Sequence, residues 1–379
     1  MALIAKTKKE TDQTWFLVHS WIGLKLSVLM TFILITGTFA VLSYDIDWLL
    51  NPEMHSSAQS QQTNWGAVFD NARAQYPHAD MLSIDRRDDH WFAAQVTLQT
   101  QWGELGRSWH DPETGNFQGT TAWFNVQRFF RMTHRHLMLP SQIGIPIVTS
   151  LAVPLLVSLT AGLFVYKKFW RGFFRWPRFS KPTRVWSGDL HRLMGLWSTW
   201  FIVLIAFTSI WYLVEVMGGR SPSMPSPSQV EAERELVLPI SLTGDSINQM
   251  VTSAEKTLPG LRVQRITLPR DTTGVVSVQG QVDAVLVRAR ANAVVFDPAT
   301  GEGMGSHRGE QLNLHTRISE MADPIHFGTF GGWWTKLLWF LMGCLMSGLS
   351  ITGCVIYVKR LRKPITKASI TADSTVAAS

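Results

Sequence analysis

The sequence predicts a membrane α-helical protein, a bundle of four transmembrane helices with two α+β domains on the outer side. Three observations predict it. Four apolar runs are each long enough to cross a hydrocarbon core of about 30 Å, which takes about 20 helical residues. Lys and Arg cluster on alternate connections between those runs. Short motifs recur in the same order in both halves, so that helix–domain–helix is written twice as an internal tandem repeat.

Composition agrees. Only 17% of the residues are charged, and 17 are Trp, a side chain that favours sites with one apolar and one wet side. The net charge of +7 sits beside the apolar runs, which points to lipid headgroups and not to nucleic acid. Cys344 and Cys354 lie in one apolar run, ten residues apart, which excludes a disulfide framework and a thiolate metal site.

The chain is read in order as follows. Residues 1–14 form a cytoplasmic N-terminus with Lys6, Lys8 and Lys9. Residues 15–43 form the first transmembrane helix, too long an apolar stretch for a cleaved signal peptide and therefore an anchor. Residues 44–126 form the first outer domain, with a helix at Trp65–Tyr76 and a strand at Trp91–Leu98. Residues 127–166 are a lead-in and the second transmembrane helix, whose run contains Pro146 and Pro154. Residues 167–189 form a basic, aromatic cytoplasmic loop of interfacial character. Residues 190–215 are the third transmembrane helix. Residues 216–325 form the second outer domain. It opens with a Gly/Ser/Pro linker through Ser228 and continues with a helix at Ile247–Leu258 and a strand at Gly274–Val278. Residues 326–358 are the fourth helix and 359–379 a basic cytoplasmic tail. By the positive-inside rule both termini are cytoplasmic.

The repeat rests on three matches. Asp111-Pro112-Glu113-Thr114-Gly115 and Asp297-Pro298-Ala299-Thr300-Gly301 lie 186 apart (297 − 111). His19-x-x-x-Gly23 and His191-x-x-x-Gly195 lie 172 apart (191 − 19). His134 and His326, each before a helix that returns inward, lie 192 apart (326 − 134).

The histidines carry the chemistry. His55, His78, His90, His110, His307 and His315 have no ligand spacing and read as solvated or structural. His19 and His191 stand at the inner ends of helices one and three. His134, His136 and His326 stand at the outer ends of helices two and four. A haem iron in a helical bundle takes two neutral imidazoles from facing helices, one on each face of the ring. Two leaflet pairs therefore imply two haems, and the lack of a C-x-x-C-H makes them b-type. Gly23 and Gly195 leave room for a flat macrocycle or serve close helix packing. His134 and His136 cannot both face one haem from a helix, because two residues turn about 200°. Arg192, and Arg131 with Arg128 and Arg135, are placed to pair with haem propionates. Lys25 either snorkels to the surface, the preferred reading, or serves the cytoplasmic haem. Trp109, Arg107 and Arg128 stand either as lining of an outer mouth or as structural residues.

These residues resemble the PepSY-associated transmembrane proteins. The resemblance is carried by Trp15-x-x-x-His19-x-x-x-Gly23, His134-Arg135-His136-Leu137-Met138-Leu139, Asp189-Leu190-His191-Arg192-x-x-Gly195 and His326-Phe327-Gly328-Thr329-Phe330-Gly331-Gly332. Relatives read His-Arg-x-Leu at the second motif, which implies His134 as the ligand and leaves His136 as the alternative. The resemblance makes the two outer domains PepSY-like. It extends to the di-haem ferric-siderophore reductases of Gram-negative inner membranes, those for ferrioxamine included. It thus implies one-electron reduction of a periplasmic ferric chelate, a hydroxamate above all, since hard oxygen ligands hold Fe(III) better than Fe(II). No nucleotide-binding motif is evident, so the expected donor is a quinol, a free flavin or a partner protein. The rival readings are a non-redox scaffold binding a peptidase or envelope partner, and a haem conduit serving another acceptor. A transporter is disfavoured because no acid lies within a span core, Asp45 and Glu215 standing at the outer ends.

Overall fold

The computed structural model describes residues 2–56, 62–221, 242–269 and 274–361. The end of the Ser/Pro linker and the tail beyond Leu361 lie outside the described residues. Four helical stretches are long and apolar enough to cross a membrane: Ser27–Leu50, Ser141–Val165, Thr183–Gly219 and Gly332–Lys359.

The first of these differs from the sequence expectation. Helix α1 (Ala2–Lys25) stops at Leu26, and α2 (Ser27–Leu50) runs on past Asp45 and Asp47. Two acids can sit in an apolar helix because both have partners. Asp45 accepts from Lys336 Nζ at 3.1 Å. Asp47 accepts from the backbone N–H groups of Val126 and Gln127 at 3.1 and 2.9 Å. Those are the first amides of α4 (Val126–His136), and an anion there meets the unpaired N–H groups and the positive end of the helix dipole.

The second stretch comprises α5 (Ser141–Ser150) and α6 (Ala152–Val165), broken at Leu151. Pro154 has no N–H to offer the Ser150 carbonyl, which accounts for the break. The third is α7 (Thr183–Val214), closed by a wide π turn over Glu215–Gly219. The fourth lies within α10 (Gly332–Leu361). Before α7, the basic loop exposes Trp170, Phe174, Trp176 and Phe179.

The α+β part holds α3 (Trp65–Gln75), β1 (Asp80–Asp85), β2 (Ala94–Gln99), β3 (Leu105–His110) and β4 (Phe117–Thr121). Its second set is α8 (Gly244–Thr257), β5 (Arg262–Thr267), β6 (Val276–Gln281), β7 (Ala293–Phe296) and β8 (Gly303–His307), followed by α9 (Leu314–Phe327). The sequence expects two separate domains here. The strands instead form one antiparallel sheet in the order β4-β3-β2-β1-β5-β6-β7-β8. The order reads outward in chain sequence from the β1–β5 seam in both directions. That seam pairs Ser83 with Thr267, Ile84 with Ile266 and Asp85 with Arg265. Strand alternation sends Ile84, Val96, Ile266, Val276 and Val278 inward, where Phe69 of α3 and Met250 of α8 join one continuous core.

The two Asp-Pro-x-Thr-Gly turns join β3 to β4 and β7 to β8. In the first, Asp111 Oδ1 accepts from the N–H groups of Glu113 and Thr114 at 3.0 and 2.9 Å. In the second, Asp297 Oδ1 accepts from Ala299 N at 2.8 Å. Gly115 and Gly301 close them at φ +74° and +75°, a conformation that costs glycine little.

The chain divides into two compact units. One comprises Met1–Ile35, Leu151–Ala206 and Met342–Ser379, and the other Thr36–Ser150 and Phe207–Leu341. The first is helical, and the second holds the whole sheet.

Ile84 and Ile266 are fully buried and face one another across the seam. Ile84→Ala and Ile266→Ala should each destabilise the sheet unit by about 2–4 kcal/mol. The double variant should cost less than the sum, because the second truncation enters a cavity already made. Thermal unfolding in detergent measures both effects.

Candidate functional site

Each unit contains one facing pair of histidines. In the helical unit, the rings of His19 (α1) and His191 (α7) have centroids 6.1 Å apart and planes at 74°. In the sheet unit, the rings of His134 (α4) and His326 (α9) have centroids 6.2 Å apart and planes at 39°. An imidazole that binds a metal through Nε2 at about 2 Å has its centroid about 3 Å from that metal, so two trans ligands stand about 6 Å apart, centroid to centroid. Both pairs have this separation. Among the described residues no group of three or more His, Cys, Asp or Glu is placed to hold a metal ion. A two-ligand site suits a haem, whose ring supplies the other four nitrogens.

In the helical unit, the hydrogen bonds fix which ring nitrogen is available. His19 Nδ1 lies 2.8 Å from the Ser158 carbonyl on α6. His191 Nδ1 lies 2.9 Å from the Leu349 carbonyl on α10. A carbonyl only accepts, so each Nδ1 carries the proton and donates it. Each Nε2 keeps its lone pair for a metal, the arrangement by which ligating histidines are held in one tautomer.

Glycine makes those bonds reachable. Gly162 follows Ser158 by four residues, and a Cβ added there would meet His19 Cε1 at 3.4 Å. Gly353 follows Leu349 by four, and its added Cβ would meet His191 Cε1 at 3.3 Å. On a helix the residue four positions on shields the carbonyl side, so a missing side chain there lets the imidazole approach. Sequence reasoning missed both glycines. The signal was present: Ser158-x-x-x-Gly162 and Leu349-x-x-x-Gly353 are 191 residues apart (349 − 158).

Arg192, expected beside the inner pair, is held by Asp189 through Nη1 at 3.2 Å, and Asp189 in turn by Arg178 Nε at 2.8 Å. The Nε and Nη2 of Arg192 are buried without an acceptor. Two unanswered guanidinium donors next to His191 suit a propionate. Gly23 opens on free space, whereas Gly195 packs against Leu349, since a Cβ there would meet its Cδ1 at 3.4 Å. Lys25 is exposed and stacks over Trp21, with Nζ 5.3 Å from the ring centroid.

The His134–His326 pair is built by a short helix lying back along α2. Asp47 binds the start of α4, and near its end His134 lies against Gly37, where an added Cβ would stand 2.5 Å from His134 Cε1. Asn125 caps α4, accepting from Arg128 N at 3.0 Å. Leu137 and Met138 end the helix in left-handed conformations, φ 57° and 58°. His136 takes no part in the pair: its backbone packs on Gly144, and its Nδ1 is buried without a partner. His326 Nδ1 lies 2.8 Å from the Thr208 hydroxyl.

Charges gather beside His326. The Tyr212 hydroxyl donates to Asp323 Oδ1 at 2.6 Å. Arg288 bridges Asp323 and Glu320 at 2.9 and 2.8 Å. Burial alone would raise the Asp323 carboxyl, but Arg288, the Tyr212 hydrogen bond and Arg131 outweigh it and hold the group below the ordinary carboxylate range.

Against the inner wall of the sheet unit lies a cavity of about 510 Å³, lined by α2, α4, α9 and the segment after β6. Arg131 and Phe327 line it, one turn and one residue from the paired imidazoles. Trp109, Arg107 and Arg128 do not. Trp109 is buried and donates to Thr121 Oγ1 at 2.9 Å. Arg107 donates to the Ala122 carbonyl at 3.1 Å. Arg107 and Arg128 both stack on Trp123, 4.6 and 4.1 Å from its centroid. His110 is fully buried and bonded to the Gly115 carbonyl at 3.0 Å, a structural role.

With this geometry in place, comparison with known proteins assigns a class. The PepSY-associated TM region family matches residues 16–360, and the chain belongs to it. The uncharacterized protein PA4219 of Pseudomonas aeruginosa is 24% identical over 254 residues, which cover 58% of this chain and 60% of that protein. The chain therefore spans about three fifths of the length of that relative.

Gly37→Ala should push the His134 ring out of line with His326, whereas Gly23→Ala meets open space. Thermal unfolding in detergent should show a lowered midpoint in the first variant and an unchanged one in the second, relative to wild type.

Proposed function

We propose that the protein is a transmembrane electron carrier with two b-type haems, which passes single electrons to a ferric chelate on the outer side. The observation that carries the reading is the pair of imidazole pairs, each at a centroid spacing at which both rings would reach one metal ion. His19 and His191 would hold one haem, His134 and His326 the other. Bound haem supplies a one-electron iron couple.

The protein's own part is orientation and exclusion. Ser158 and Leu349 hold Nδ1 protons, which leaves the Nε2 lone pairs of His19 and His191 for a metal. Thr208 holds the His326 ring through its hydroxyl. Arg192 and Arg131 offer guanidinium donors to propionates. The positive-inside rule supports an orientation with the sheet unit and the His134–His326 pair outside and both termini in the cytoplasm, and the reading sets the protein in a bacterial inner membrane. An electron would then enter from a cytoplasmic or membrane donor at the inner pair and leave at the outer pair. Reduction of Fe(III) to Fe(II) loosens hard oxygen ligands, hydroxamates among them, and frees the metal. The motif offsets further support a tandem repeat with two PepSY-like halves.

Purified protein should contain two haems per chain by pyridine haemochrome, both extracted by acid acetone. His19→Ala or His191→Ala should lose one, His134→Ala or His326→Ala the other, and His136→Ala neither. Dithionite-reduced protein, washed of reductant under argon, should be reoxidised by a ferric hydroxamate, with Fe(II) trapped by a ferrous chelator. A colourless preparation from haem-replete cells would leave only the scaffold reading.

A further inference from the structure

The cavity beside the outer histidine pair has the size of a small-molecule site, within the usual range of about 300–1,000 Å³. Its cations are Arg87, Arg131, Arg262, Arg288 and Lys336. Its carboxylates are Asp88, Asp283 and Asp323. Several of these charges already answer each other or a neighbour. Arg288 is committed to Asp323 and Glu320, and Lys336 to Asp45 and Asp89 at 3.1 and 3.2 Å. Asp88 accepts from the Gln264 amide at 2.6 Å.

Three guanidiniums remain without an ion pair among the described residues: Arg87, Arg131 and Arg262. Arg87 is the most informative. Its guanidinium carbon stands 4.3 Å from the Tyr44 ring centroid and 4.9 Å from that of Phe92. Two aromatic faces hold the group in place, yet its Nε is buried with no acceptor. A fixed, desolvated donor without a partner costs stability unless a bound group answers it. Arg131 stands across the cavity, its guanidinium carbon 5.8 Å from the Phe327 ring centroid. Planar guanidiniums match carboxylates in bidentate geometry.

We propose that this cavity binds the acceptor through carboxylate groups, so that it favours an anionic, carboxylate-bearing metal chelate over a neutral hydroxamate complex. The inference rests on the electron-transfer reading for its purpose and deepens it by naming the charge class of the acceptor. A haem propionate has the same chemistry as an external carboxylate, and the experiment separates the two.

The test uses gallium(III), which matches Fe(III) in charge and coordination but is not reduced, so binding is read without electron transfer. Full-length protein in detergent is titrated with gallium citrate and with neutral gallium tris(acetohydroxamate). Citrate should bind the tighter, by about tenfold or more, and should weaken as ionic strength rises, while the neutral complex should not respond to salt. Arg87→Gln should weaken citrate binding by about tenfold with haem content unchanged, and Arg87→Lys should restore part of it. The wild-type salt dependence keeps the test decisive if a variant fails to fold. Equal binding of the two complexes, or salt-independent citrate binding, overturns the proposal. So does loss of haem instead of citrate binding in the Arg87 variants, which assigns the guanidinium to a propionate. Protein without haem that still binds citrate would sink the electron-transfer reading and leave this one standing. Reduction of ferric chelates regardless of charge would do the reverse.

Discussion

An imidazole is useful to a metal only if one nitrogen gives up its proton's claim on the site, and in this chain the inner pair meets that condition through helix carbonyls. Ser158 and Leu349 spend carbonyl lone pairs on His19 and His191. Gly162 and Gly353 lie beside the two rings, and a Cβ added there would come to 3.4 and 3.3 Å of them. The carbonyl bond on each ring thus sets the tautomer and ties the ring's helix to its neighbour. Where that bond goes to a hydroxyl, as from His326 to Thr208, the ring is held by a group that can also donate. The same offset that separates His19 from His191, 172 residues, separates Thr36 from Thr208 (208 − 36).

Much of this was legible in the sequence. Spans of apolar residues read directly because a bilayer demands about 20 of them in a row. The histidine pairs read from their motifs; a helix cannot turn both His134 and His136 to one side, and it was the family resemblance that favoured His134. The end of the first span was not legible. Asp45 and Asp47 look like a boundary until their partners, Lys336 and the amides of α4, are known, and those lie 291 and about 80 residues away. The single sheet was hidden for the same reason. Each half has its own alternating strands, but the β1–β5 pairing is long-range, and alternation says which face is buried without saying which edge finds which partner.

The glycines illustrate a different limit. Gly37, Gly162 and Gly353 each matter for what they leave out, and a glycine in an apolar run is ordinary in membrane helices. Gly23 and Gly195 stood out because they follow histidines, yet one opens on free space and the other packs on Leu349. Of the two readings open for Trp109 and Arg107, mouth lining or a structural role, the fold shows the structural one, Trp109 being buried and Arg107 bonded to the Ala122 carbonyl. Composition suggested which side chains an outer site would use, and only the fold decided which of them have room.

The double attachment of α4 to α2 has a further consequence. Asp47 grips the first amides of α4 while Gly37 receives His134 near the other end. The imidazole is therefore carried on a helix pinned at head and foot, and the left-handed Leu137–Met138 turn stops it from fraying into α5. On the electron-transfer reading, a ligand mounted this firmly would shift little when the charge before it changes by one unit. The nuclear rearrangement that slows electron transfer would then be small, and the speed of exchange would be governed by the energy gap and the distance to the next redox centre. A pinned helix would in that sense be a kinetic device.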